Sequence, residues 1–384
     1  MSEAITPFHL SVSEADLDDL RERLGRTRWP DRETVEDTSQ GPPLAKVRAL
    51  CEHWRTRYDW RRCEALLNGL GQHRTDIDGV GIHFLHVRSP EPDALPLVLT
   101  HGWPGSVLEF RHLIGPLTDP AAHGGDRRDA FHVVIPSLPG FGFSDHPDRT
   151  GWGVGRIADA WATLMRRLGY ERWGAQGGDW GAAVTTALGY KAPAGLVGIH
   201  LNMVQFQPTD QERSEADAHE QVMLADAQRY DRERSAYMKL QATRPQLIGY
   251  SLADSPVGLA SWVYALFQDV ADCDGSPETV FTLDEMLDDI MLYWLPGTGA
   301  SSARLYWETM GPGASGGFAM PPLGIPTGVS MFPREQIRLS RRWAERRFTR
   351  LVHFNELARG GHFAAMEQPA ALVDEVRATF RSLR

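Results

Sequence analysis

The segment AQGGDWGAAV at 175–184 sets Asp179 between glycines in the order Gly177-x-Asp179-x-Gly181. Small residues on both sides allow a sharp strand-to-helix turn that projects the central side chain, the spacing of a nucleophile elbow with aspartate where esterases place serine. A carboxylate with an ordinary pKa of about 3.9 is already ionised at neutral pH, so it can attack an electrophilic carbon with no base to activate it. The amide of Trp180, the next residue, would point where an oxyanion forms. HGWPGS at 101–106 follows an apolar run that reads as a strand, and there the amide of Trp103 can supply a second oxyanion donor. In RGGHFAAME at 359–367, His362 follows the last strand-like run, and Glu335 of FPRE lies 27 positions earlier, after the penultimate one. Each signal alone has a plainer reading: a helix cap at Asp179, a Pro-Gly turn at HGWPGS, a structural histidine at 362. Together they give nucleophile, acid and base in chain order, with a histidine oriented by a glutamate to activate the water that hydrolyses an ester of Asp179.

These residues need elements to hold them. From Ser11 to Trp29 the pattern predicts a helix with Ser11 and Glu14 as a capping pair and Leu17, Leu20 and Leu24 on one face. A second helix is expected over Leu44 to Tyr58 and a third near Glu64 to Leu67, with Trp29, Trp54 and Trp60 as packing anchors. HRTDIDGVGIHFLHV then alternates about Asp78-Gly79 as a hairpin. Beyond it, buried-strand runs (97–100, 131–135, 172–176, 197–203) alternate with helices (157–168, 182–188), the signature of a mainly parallel α/β sheet. From 206 the pattern turns helical, including one run over Gln211 to Gln241 and a helix opened by the pair Thr282 and Glu285. Strand-like runs return at 327–332 and 351–354 before a final helix, Pro369 to Leu383. The expected organisation is a helical extension over 1–88 leading into the first strands, core over 89–205 and 319–384, and a helical cap over 206–318.

Composition excludes other classes. In 384 residues, 42% are hydrophobic and 23% charged, which argues against disorder, and 40 Lys+Arg against 50 Asp+Glu give a formal charge of -10, a field unsuited to nucleic acid. Only Lys46, Lys191 and Lys239 are lysines, a bias that fits a GC-rich coding genome. Cys51, Cys63 and Cys273 have no paired spacing, so a reducing cytoplasm is expected, and no window approaches the roughly 20 apolar residues of a membrane span. The leader is acidic where a signal peptide would be basic and apolar. GWGVGRIA lacks the strand a dinucleotide turn needs, DVADCDGSPETVF puts Val270 and Phe281 at calcium-ligand positions, and there is no HExxH. His83 and His86 read as packed or surface residues rather than metal ligands, and RRWAERRFTR at 341–350 as a solvated helix face.

HGWPGS, PSLPGFGFSD at 136–145, GGDWG, the segment 235–262, SSARLYWE at 301–308, PTGVSMFPRE and RGGHFAAME together resemble the microsomal and juvenile-hormone type of epoxide hydrolase, in a soluble bacterial form. The resemblance extends from the helical leader to the C-terminus, although membrane-bound relatives begin with a hydrophobic anchor that this chain lacks. It implies an α/β-hydrolase fold, a mostly parallel eight-stranded sheet flanked by helices, with helical cap and N-terminal extension. It also implies Asp179 as nucleophile, His362 as base, Glu335 as its acid, and Tyr237 and Tyr306 as donors to the epoxide oxygen; the Trp103 and Trp180 amides complete the set as oxyanion hole. Either tyrosine could instead be cap core, since Tyr230 and Tyr237 lie seven apart as on one helix face. The expected reaction is epoxide plus water to a vicinal diol, without cofactor or metal. Expected partners are the epoxide and water, with a homodimer open and neither nucleic acid nor a membrane anchor. Within the family the chain also resembles bacterial enzymes of enediyne antibiotic pathways. Trp262, Tyr264, Phe267, Tyr293, Trp294 and Trp307 point to a bulky aromatic or polycyclic epoxide. Two rivals are a haloalkane dehalogenase, which needs halide donors rather than two phenols, and a silent hydrolase-fold binding protein, which has no need of Asp179, Glu335 and His362 together.

Overall fold

The computed structural model describes residues 3–312, 314 and 321–384. One sheet, its central strands hydrophobic and buried on both faces and its edge strands more exposed, is assembled from β1 (Thr6–Pro7), β2 (Gln72–Ile77), β3 (Val80–Val87), β4 (Leu95–Thr100), β5 (Phe131–Pro136), β6 (Trp173–Gly177), β7 (Leu196–Leu201), β8 (Thr327–Met331) and β9 (Leu351–Glu356). Their spatial order is β1-β2-β3-β5-β4-β6-β7-β8-β9. The strands from β5 to β9 in that order run parallel, and β1, β2 and β3 are antiparallel additions. Among the described residues the sheet thus has nine strands where eight were expected. The extra one is a two-residue edge strand, Thr6–Pro7, paired with His73 and Arg74, too short to leave a periodic signal. Asp78 and Gly79, both at positive φ, make the tight β2–β3 turn.

Between β7 and β8 the described residues form helices Asp210–Ser214, Ala218–Glu233, Ala236–Thr243, Pro245–Asp254, Pro256–Val270, Leu283–Trp294 and Gly299–Met310. The expected continuous run over 211–241 is broken, so Tyr230 and Tyr237 sit on two helices separated at Arg234 and Ser235. The expected boundary at 318/319 lies outside the described residues. Thr282 and Glu285 form a full capping box on helix Leu283–Trp294.

The leader's first helix is Glu14–Gly25, and its cap is Ser13 rather than Ser11. Ser13 Oγ accepts from the Asp16 amide at 3.1 Å. Upstream backbone is pinned in an extended path, with the Leu10 amide donating to Asn68 and the Val12 amide to Glu64. Glu14 is drawn instead to Arg61. Helices Leu44–Thr56 and Trp60–Gly69 pack the leader against the helical insertion. Trp54 and Trp60 are buried, and His53 and Tyr58 bond Asp284 and Asp288 at 2.7 Å each. Asp288, 1% exposed, also receives Arg62 and Arg111, so one buried carboxylate joins leader, core and insertion.

The 341–347 helix has a solvated face, with Arg341, Glu345 and Arg346 exposed, but its other face is packed. Trp343 and Ala344 are fully buried, and Arg347 makes two 2.8 Å hydrogen bonds to buried Glu212. Arg342, Arg346 and Arg347 face acidic residues of the insertion, which a charge run read alone cannot reveal. His83 is a packed residue held by Ser137 and Gln72, both at 2.9 Å. No described helix is long and apolar enough to cross a membrane.

Candidate active site

Four residues of the site follow the C-terminal ends of parallel strands, where an open α/β sheet offers its crevice. Trp103 follows β4, Asp179 follows β6, Glu335 follows β8 and His362 follows β9. Helix Asp179–Lys191 begins three residues before the expected start at 182, with Asp179 as its first residue at φ +49°. This left-handed turn in a non-glycine residue is a strained position that the surroundings must hold. Gly181 permits it: a Cβ there would fall 1.8 Å from the Thr100 carbonyl oxygen.

Asp179 Oδ1 accepts the Trp103 amide at 2.7 Å, and the Trp180 amide also bonds the carboxylate. Its other oxygen, Oδ2, stands 3.6 Å from His362 Nε2. On the far side of the ring, His362 Nδ1 lies 3.1 Å from both oxygens of Glu335, which is 3% exposed. Burial raises the Asp179 carboxyl above its ordinary value, with His362 and the two amides opposing the shift. For His362, burial opposes protonation, but Glu335, then Asp179 and Glu109, outweigh it and the imidazole is pushed up to about 10.

The insertion contributes both tyrosines. Tyr237 stacks on Trp103 with ring centroids 5.3 Å apart, and Tyr306 meets Trp180 edge-on at 4.7 Å. The two tyrosine rings are 6.1 Å apart. Both hydroxyls are buried, which raises their pKa and keeps them protonated donors, and both are close enough to feel the Asp179 charge. Thus all seven residues singled out in the sequence converge.

Sequence reasoning missed three more. Tyr230 puts its hydroxyl 2.9 Å from that of Tyr237. Glu367 accepts the amides of Asp272, Gly361 and Phe363 at 2.8, 2.8 and 2.9 Å, fixing the loop that presents His362; burial still raises it to about 7. Glu109 lines the small cavity beside Asp179. The available signals were a glutamate in the apolar run VLEF and the last residue of RGGHFAAME. Of the six aromatics taken to favour a bulky aromatic substrate, Tyr264, Phe267 and Tyr293 are buried packing residues, Trp262 bonds Gln241, and Trp294 packs under Arg23. Trp307 alone of the six lines a groove of about 620 Å³, with Trp152, Leu247, Tyr250 and Leu305. That groove contains none of the seven site residues, so the site is defined by its chemistry rather than by cavity size.

This fold and constellation define an α/β-hydrolase. Residues 96–247 match the alpha/beta hydrolase fold family, and residues 5–110 match the family described as epoxide hydrolase N terminus. A Stigmatella aurantiaca protein provisionally named epoxide hydrolase is 58% identical over 99% of this chain and 86% of its own. Epoxide hydrolase 1 of Sus scrofa is 33% identical over 98% of this chain and 88% of its own. The juvenile hormone epoxide hydrolase structure from the silkworm Bombyx mori superposes with a TM-score of 0.92 at 28% identity, covering 100% of this chain and 95% of that one. The chain belongs to the epoxide hydrolase family.

Proposed function

We propose that this enzyme hydrolyses its epoxide through an ester on Asp179. The observation that carries the reading is the placement of one carboxylate: Oδ1 accepts the Trp103 amide, the Trp180 amide also bonds the group, and Oδ2 faces His362 at 3.6 Å. In the first step Oδ2 bonds to a ring carbon and the ring C–O bond breaks. The departing alkoxide takes a proton from Tyr237 or Tyr306. In the second, water adds to the ester carbonyl carbon as His362 Nε2 takes its proton, and the electron pair moves to Oδ1, where the two amides stabilise it. Collapse breaks the bond to the diol. One hydrogen of the water ends on the second hydroxyl of the diol and the other on His362, replacing the proton that His362 passes to the tyrosine.

Charge couples the steps. At rest the Asp179 and Glu335 carboxylates hold His362 protonated. Esterification removes the Asp179 charge, so the proton affinity of the imidazole falls as the step requiring a neutral base begins. His362 can then return a proton to the depleted tyrosine.

The rings of Trp103, Trp180, Tyr237 and Tyr306 packed about Asp179 favour a bulky apolar epoxide in this reading, and Leu305, next to Tyr306 in the chain, lines the groove of about 620 Å³. The helices between β7 and β8 act in this reading as the cap, within core and cap limits as expected from the sequence. Three buried free thiols support a cytoplasmic location, and the resemblance to enediyne-pathway enzymes supports a place in natural-product synthesis.

The test is a single turnover in H₂¹⁸O. The first diol should carry unlabelled oxygen from Asp179, with heavy oxygen entering the carboxylate; label in the first-turnover diol would mean direct attack by water. Freshly purified Asp179→Ala should form no diol.

A further inference from the structure

Glu109 lies in the short turn Val107–Phe110 just after HGWPGS. Its carboxyl folds back over Gly105, where an added Cβ would fall 1.2 Å from Oε1, so glycine at 105 leaves room for it. It lines a cavity of about 10 Å³ with Gly102, Asp179, Asn202 and His362. That is room for about one water molecule. Glu109 and Asp179 both lie deep in the protein, yet each keeps some surface open to a water-sized sphere, and both line this cavity. Burial, with Asp289 next in effect, raises the Glu109 carboxyl well above its ordinary value, and protonated or not it keeps an oxygen that can accept a hydrogen bond.

A water that attacks the Asp179 ester must aim a lone pair at the carbonyl carbon, so both its hydrogens need acceptors elsewhere. His362 Nε2 takes one. Of the remaining side chains in the cavity, Asn202 Oδ1 already accepts one hydrogen bond, from Gln176 Nε2 at 2.7 Å, while no hydrogen bond from a described protein group is made to the Glu109 carboxyl, which leaves it the freer acceptor. We propose that Glu109 orients the hydrolytic water, its carbonyl oxygen accepting the hydrogen that His362 does not remove. No proton passes to Glu109; the proton goes to His362 Nε2 as the O–C bond forms. This rests on the ester reading above.

The test follows the full-length enzyme with styrene oxide by rapid quench and intact mass, with His362→Gln as control. Glu109→Leu and the more adaptable Glu109→Met remove the acceptor while filling the space. Each should form the ester within about threefold of the parent rate and lose it about 10–1000-fold more slowly, so the adduct accumulates. Glu109→Gln keeps a carbonyl oxygen and should recover most of the hydrolysis rate. Ester decay at the parent rate in the Leu and Met variants, equal slowing of both steps, or no rescue by Gln would overturn the assignment of Glu109 alone. Absence of any ester in His362→Gln would instead remove the ester chemistry and this inference with it.

Discussion

His362 Nε2 lies 3.6 Å from Asp179 Oδ2, beyond a good hydrogen bond but close enough for the two charges to couple. In the proposed mechanism His362 serves only the second half-reaction, since an anionic Asp179 needs no base. His362→Gln should therefore open the epoxide once and stop, leaving the substrate's mass on Asp179. Mass spectrometry of the peptide carrying Asp179 checks this, and full turnover in that variant would remove His362 from the mechanism.

The tyrosines should divide the work of polarising the epoxide oxygen. Either Tyr237→Phe or Tyr306→Phe should slow ester formation about 10–1000-fold, and the double variant far more. Tyr230→Phe removes the 2.9 Å hydroxyl contact to Tyr237 and should give a smaller loss in the same step. Pre-steady-state rates unaffected by all three would return them to packing roles.

The sequence exposed the parts of this fold that depend on local pattern. Gly177-x-Asp179-x-Gly181 announced its turn because close backbone approach tolerates no side chain at 181. The alternation about Asp78-Gly79 announced a hairpin because its turn needs two left-handed residues. What stayed hidden depends on distant partners. Ser11 and Ser13 are equally good caps until Glu64 is seen to bind the Val12 amide, and the arginines of 341–347 look solvated until Glu212 and Glu220 are brought across from the insertion. Glu367 resembles an ordinary helix residue, because the amides that it accepts gain their meaning from the loop they hold.

The elevated His362 pKa has a consequence for stability. An imidazole with an ordinary value of 6.5 that is pushed up to about 10 on folding contributes stability in full below pH 6.5, and the contribution is lost as pH rises toward 10. The native enzyme should lose on the order of a few kcal/mol across that window. In His362→Gln the decline should be shallower. Urea unfolding of both proteins at intervals from pH 6 to 10 checks the difference, and parallel curves would refute the coupling.

Glu367 should control hydrolysis without touching the reacting atoms. Its carboxyl bonds the Gly361 and Phe363 amides on either side of His362, and the Asp272 amide ties that loop to the insertion. Removing it in Glu367→Ala would leave three amides unpartnered at about 1–3 kcal/mol apiece before relaxation, enough to threaten folding. Glu367→Gln is the sharper probe because it keeps one acceptor oxygen and loses the other. Oε2 serves Asp272 and Gly361 while Oε1 serves Phe363, so the amide nitrogen must face at least one backbone donor, and the loop must shift to relieve the clash. A displacement of about 1 Å costs roughly 100-fold where geometry is critical. Glu367→Gln should therefore slow ester hydrolysis by one to two orders of magnitude, and leave ester formation, which depends on Asp179 and the tyrosines, within a few-fold of the parent. Rapid-quench measurement of the two rates checks this; equal slowing of both would mean that Glu367 supports the whole site rather than the placement of His362.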